Sequence, residues 1–163
     1  MTTLLFITFY HSLSIRLAWI DFKTGLLPDR FTCPLLWGGV IYYLVHNDDF
    51  LSASVTGAVT GYFCFWTVYW AFRLWKGYEG LGFGDVKLLA ALGAWHGWES
   101  LSTIVFLAAT GGLITLLVAS MICGRRKIVK TPQPFGPFLV AAGFAVSCRT
   151  FYAPAEQVIT TLL

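Results

Sequence analysis

The sequence predicts an all-α membrane protein with about six transmembrane helices, and three observations carry that expectation. Of its 163 residues, 57% are hydrophobic and only 12% charged, about half the charged share of a soluble globular chain. The apolar residues come in long blocks, as bilayer-spanning helices require. The segments between blocks alternate between basic and acidic, as loops on opposite sides of a membrane do. No internal repeat, low-complexity tract or soluble region interrupts the pattern, so residues 1–163 read as a single membrane-embedded domain.

The blocks run approximately 2–20, 31–46, 51–72, 86–98, 100–123 and 135–152. The first has no basic n-region, and no small-x-small site precedes Asp21, so it reads as a retained span and not a cleaved signal. Arg16 is near enough to its end to snorkel toward the interface. The second and fourth blocks are short against the roughly 20 residues a span needs. Residues 88–123 are too long for one span, and the polar break His96-Gly97-Trp98-Glu99 predicts a tight helical hairpin there. Trp37, Trp70, Trp75 and Trp98 lie near span ends and read as an aromatic belt. Cys33, Cys64, Cys123 and Cys148 are scattered through apolar segments without a Cys-x-x-Cys pair, which predicts packing roles rather than zinc or a disulfide. His11, His46 and His96 share no helical face, so no metal site is expected.

Charge placement sets the topology. Lys23 and Arg30 follow the first block, Arg73, Lys76 and Lys87 the third, and Arg125, Arg126, Lys127 and Lys130 the fifth. The intervening segments carry Asp48, Asp49 and Glu99 and no Lys or Arg, and Arg149 is a mild exception near the end. The basic segments are therefore expected on the cytoplasmic side, with both termini outside. Asp21 closes the first span and Asp85 opens the fourth, which puts both carboxylates at the cytoplasmic membrane edge. Whether they face one another laterally does not follow from periodicity.

A carboxylate at the edge of an apolar span is costly unless it works. Two brought together cannot both ionise easily and share a proton. One then acts as base on a water while the other donates to a scissile carbonyl oxygen. Gly82 and Gly84, without a Cβ, let a peptide backbone approach Asp85 closely. Structural readings stand beside this one: Asp85 as an N-cap of the fourth helix, Asp21 as a partner of Lys23 or Arg16, and Asp29 as a turn residue in Leu27-Pro28-Asp29-Arg30. No serine or cysteine nucleophile is expected to have a histidine nearby, the glycines lack the context of a nucleotide loop, and neither a cofactor nor a nucleic-acid partner is expected. A small ion- or proton-coupled transporter subunit is the alternative from another class, and a structural membrane subunit a third.

The segment Glu79–Trp98, Glu-Gly-Leu-Gly-Phe-Gly-Asp-Val-Lys-Leu-Leu-Ala-Ala-Leu-Gly-Ala-Trp-His-Gly-Trp, resembles the signature of the type 4 prepilin leader peptidases, membrane aspartic peptidases of the Gly-x-Gly-Asp kind. Asp21–Trp37, Gly57–Trp70 and Pro134-Phe135-Gly136-Pro137 resemble further segments of that family, in the expected order. The resemblance implies catalytic roles for Asp21 and Asp85 and leaves Asp29 non-catalytic. It implies removal of the basic leader from type IV prepilins or type II secretion pseudopilins, at the cytoplasmic face of the bacterial inner membrane. The cut usually follows a glycine and precedes a hydrophobic stretch that stays in the bilayer. Many members also carry an N-terminal region with paired cysteines that bind zinc, and they methylate the product. This chain begins almost directly with the span leading to Asp21, so a peptidase-only form is expected. Gly82, Gly84, Lys87, Pro134, Phe135, Gly136 and Pro137 are expected to shape the site. Glu79 is expected either to attract the basic leader or to be a solvated loop acid. The natural substrate and the oligomeric state do not follow from the sequence.

Overall fold

The structure is a computed structural model that describes residues 2–46, 48–77, 81–123 and 134–148. Six helices and no strand occur among the described residues: α1 (Thr2–Thr24), α2 (Asp29–His46), α3 (Asp48–Lys76), α4 (Phe83–His96), α5 (Trp98–Cys123) and α6 (Gly136–Ser147). They match the six apolar blocks, and the expected hairpin break falls at Gly97, whose φ of 72° suits a residue without a Cβ. Glu79, the basic cluster 125–130 and Arg149 lie outside the described residues.

The helices differ in what they can span. α1 and α5 are long and apolar enough to cross a bilayer. α4, at 14 residues, and α6, at 12, reach only about 21 and 18 Å. The short fourth block therefore reflects position in the bundle. Helices α1, α2, α3, α5 and α6 contact one another in a closed ring, and α4 runs through the middle against four of them. Eleven of its 14 residues are buried, as expected of a helix that is apolar on every side. The ring's outer face exposes large apolar side chains, including Leu4 and Phe22 on α1, Phe63 on α3, and Phe106 and Met121 on α5. So much exposed apolar surface is a lipid-facing belt, because a soluble monomer would bury it. Trp37, Trp70, Trp75 and Trp98 are exposed on it.

Close helix approach depends on small residues. On α3, Gly57 lies against Gly93 of α4, where a Cβ on either residue would strike the other's backbone carbonyl. One turn on, a Cβ on Gly61 would come within 2.8 Å of the Leu89 carbonyl oxygen. The far end of α4 is tied down by side chains from the ring. Helix C-termini leave carbonyls unpaired. Here Ala94 O accepts from Ser54 Oγ at 2.6 Å, Trp95 O accepts from Tyr43 at 2.8 Å, and Gly93 O accepts from Gly97 N–H at 2.9 Å. The indole of the fully buried Trp95 donates to Leu35 O at 2.7 Å. A helix fixed at one end in this way presents its other end, with Asp85, at a defined place.

The thiols depart from expectation. Cys33, Cys64 and Cys148 are free but exposed on the outer face rather than packed inside. A small apolar thiol facing lipid gives up nothing to water, so burial in the core is not required of it.

Candidate active site

On α1 the residues Tyr10, Ser14, Leu17 and Asp21 are the buried ones. Their spacing of four, three and four puts them on one face of the helix. Asp21 thus continues an inward-facing stripe into the last turn of α1, where it is 4% exposed. Asp85 comes from the opposite direction, in the first turn of α4, and is 6% exposed. Both carboxyls are thus buried at the same end of the bundle, where the turn after α1 packs its Leu27 against Gly84.

Each carboxyl sits at a helix start. Asp21 Oδ2 accepts from the backbone N–H of Gly136 at 2.9 Å, the first residue of α6 and one of the N–H groups a helix leaves unpaired. A Cβ on Gly136 would lie 2.5 Å from Asp21 Oδ2, so only glycine admits this contact. Pro137 in the first turn of α6 suits that position because it has no N–H to satisfy. The motif Pro134-Phe135-Gly136-Pro137 thus starts a helix and holds Asp21. Phe135 also packs its ring near that of Phe65 on α3, and no separate role for Pro134 emerges.

At α4 the N-cap is Gly82, so Asp85 stands at the third helical position. This corrects the N-cap reading of Asp85. Gly82 and the Asp85 carboxyl are close, since a Cβ on Gly82 would sit 3.2 Å from Oδ2. Asp85 Oδ1 is buried and has no hydrogen-bond partner among the described residues. A Cβ on Gly84 would come within 2.7 Å of the Leu27 Cβ, so this glycine lets the α1–α2 turn lie directly on α4.

Asp21 does not pair with Lys23 or Arg16. The Lys23 ammonium lies over the Trp19 ring, 4.5 Å from its centre, and the carboxylate's hydrogen-bond partner is Gly136. Asp29 instead accepts from Lys87 Nζ at 2.6 and 2.8 Å. That ion pair ties the first turn of α2 to α4, two residues beyond Asp85, and gives Lys87 a place beside the site. Asp29 opens α2 and is not a turn residue, which corrects the turn reading. Sequence reasoning missed Leu27 as the packing partner of Gly84 and Tyr69 as that of Phe83, whose rings are 5.5 Å apart. It also missed that Gly136 touches Asp21 directly, and the expectation that no serine has a histidine nearby is corrected by the buried Ser147, whose Oγ lies 3.3 Å from His96 Nε2 at the far end of the bundle. The inward stripe through Tyr10, Ser14 and Leu17 was the available signal for the orientation of Asp21.

A sequence profile of the type IV leader peptidase family matches residues 8–124. The leader peptidase HopD of Escherichia coli is 51% identical over 151 residues, covering 93% of this chain and 97% of that protein. HopD of Salmonella typhimurium is 48% identical over 147 residues, covering 90% and 94%. A prepilin leader peptidase/N-methyltransferase of Burkholderia pseudomallei is 50% identical over 126 residues, covering 77% of this chain and 40% of that protein. No solved structure matches the chain.

Proposed function

The chain belongs to the type IV leader peptidase family and is a peptidase, and from that premise we propose that it is an aspartic endopeptidase whose catalytic pair is Asp21 and Asp85. The observation that carries this reading is the convergence of two buried carboxyls, from opposite ends of two helices, at one edge of the bundle. The pair shares a proton, which belongs to neither residue alone. The ionised partner takes a proton from water, the protonated one donates to the carbonyl oxygen, and the roles reverse as the amine leaves. The Gly136 N–H fixes Asp21, and Asp85 Oδ1, buried without a partner among the described residues, has the lone pairs that the attacking water or the substrate would fill on entering the site.

The substrates we propose are type IV prepilins or type II secretion pseudopilins, cut at the cytoplasmic face of the bacterial inner membrane. The basic segments flanking the site favour that side. Residues 1–163 act as one peptidase domain. Glu79 attracts the basic leader from outside the described residues, and a Glu79→Gln protein that cleaves equally well at all salt concentrations would remove that role.

The test is a tagged prepilin incubated with the protein in membranes, with leader removal read by mass. Asp21→Asn and Asp85→Asn should each lower cleavage by about a thousandfold or more, as expected when an acid–base group is lost. Both variants should insert and migrate like the parent. Cleavage retained in either defeats the assignment.

A further inference from the structure

Resting on the peptidase reading above, we propose that the groove between α1 and α6 seats the substrate's membrane segment, an apolar helix that runs on from the bond being cut and offers a hydrogen-bond acceptor to Arg16. The groove has a volume of about 660 Å³. It extends from Ile15 to Phe22 on α1 and from Pro137 to Phe144 on α6, about 10 Å along each helix. Ile15, Trp19 and Phe22 stand exposed along its α1 side, and the small residues Ala18 and Ala141 line it.

Position argues for substrate. Ile20 and Phe22 flank Asp21, and Pro137 follows Gly136, so one end of the groove lies level with the Asp21–Gly136 contact, which faces inward behind it. Two other apolar grooves, about 450 Å³ between α1 and α2 and about 540 Å³ between α3 and α5, include no charged residue and lie away from the Asp21–Gly136 contact, and a smaller one of about 300 Å³ between α5 and α6 reaches Phe135 but also lacks a charged residue. A polypeptide at membrane depth must be helical, because lipid offers its backbone no hydrogen bonds. Small residues then let a third helix approach closely. A second copy of this chain seated there would block the approach to Asp21.

Charge makes the same case. Arg16 lines this groove and is exposed, with no hydrogen bond or ion pair among the described residues. A guanidinium is always charged and carries five donors. Facing lipid, it is costly until an acceptor meets it. Headgroup phosphate, reached by snorkelling, is one acceptor open to it, and a helix with one acidic side chain seated in the groove is the other.

The experiment uses the full chain in phosphatidylethanolamine–phosphatidylglycerol vesicles. The probe is a synthetic peptide with a basic leader, a glycine and a Leu/Ala helix of about 20 residues, carrying one glutamate in its first turns. A photo-crosslinking residue at Ile15, in an Asp85→Asn background, should give an adduct with the peptide. The same residue at Phe106, on the outer face of α5, should give lipid adducts alone. In the active protein, Ala141→Trp should raise KM by about tenfold with kcat nearly unchanged, the signature of lost binding. A leader peptide lacking the helix should not sense that change. Arg16→Gln should abolish any preference for the glutamate peptide over its leucine counterpart. Ile15 adducts confined to lipid or to a second copy overturn the proposal, as does an unchanged KM. Cleavage by the Asp85→Asn protein would count instead against the two-aspartate reading, while the adduct still reports who occupies the groove.

Discussion

The contact between Asp21 and Gly136 joins two points 115 residues apart in sequence, and its geometry leaves room for hydrogen alone at the Gly136 Cα. Gly136→Ala places a methyl 2.5 Å from Asp21 Oδ2, so the carboxyl must turn away and give up its N–H donor. We expect leader cleavage to fall by about tenfold to a hundredfold, because a displacement of about 1 Å at a reacting group has that effect. Helix content by circular dichroism should be unchanged. Cleavage at the parent's rate would show that the Asp21 orientation seen here is not the working one. The residues themselves were legible: a carboxylate at the edge of an apolar span announces itself by its cost. The grip on Asp21 was not, since no local pattern says which distant N–H will reach a given oxygen.

Among the elements, α4 is the one whose sequence misleads. Its 14 residues look too short for a span, yet it is the most enclosed helix of the six described. Being sheathed by protein, it need not match the hydrocarbon thickness by itself. Its far end depends on Ser54 and Tyr43, which cap the Ala94 and Trp95 carbonyls. Ser54→Ala and Tyr43→Phe should each lower stability by about 1–3 kcal/mol, the cost of leaving a buried carbonyl unpaired, read as thermal unfolding in detergent. Gly93→Leu should prevent assembly of the bundle, because a side chain there strikes the Gly57 backbone. The Lys87–Asp29 pair is partly solvent-exposed, so Lys87→Met should cost no more than about 1 kcal/mol. A larger loss would mean that the pair does more than join α2 to α4. The hairpin break at Gly97 was legible because glycine next to a polar cluster punctuates an apolar run. The burial of Asp21 was half legible, in the stripe of four residues on α1 that it completes.

For the molecule as a whole, the proposed orientation is the property most open to test. Single cysteines at Thr24 and Asp49, in an otherwise cysteine-free background, sit at opposite ends of the bundle. A membrane-impermeant maleimide should label the Asp49 position in intact cells and the Thr24 position only after permeabilisation. The reverse pattern would move the two carboxylates to the outer face and exclude a cytoplasmic cut. Composition and the spacing of apolar blocks determined that this is a helical membrane protein, because lipid demands long apolar helices whatever their neighbours are. Charge distribution determined the expected sidedness, and the cost of an acid in lipid singled out Asp21 and Asp85. Only the tertiary structure decided that α4 lies at the centre, that Asp21 turns inward to meet Gly136, and that a groove opens beside them. Those depend on helix packing between residues far apart in the chain, and a periodicity read along one helix holds no information about which neighbour its face will meet.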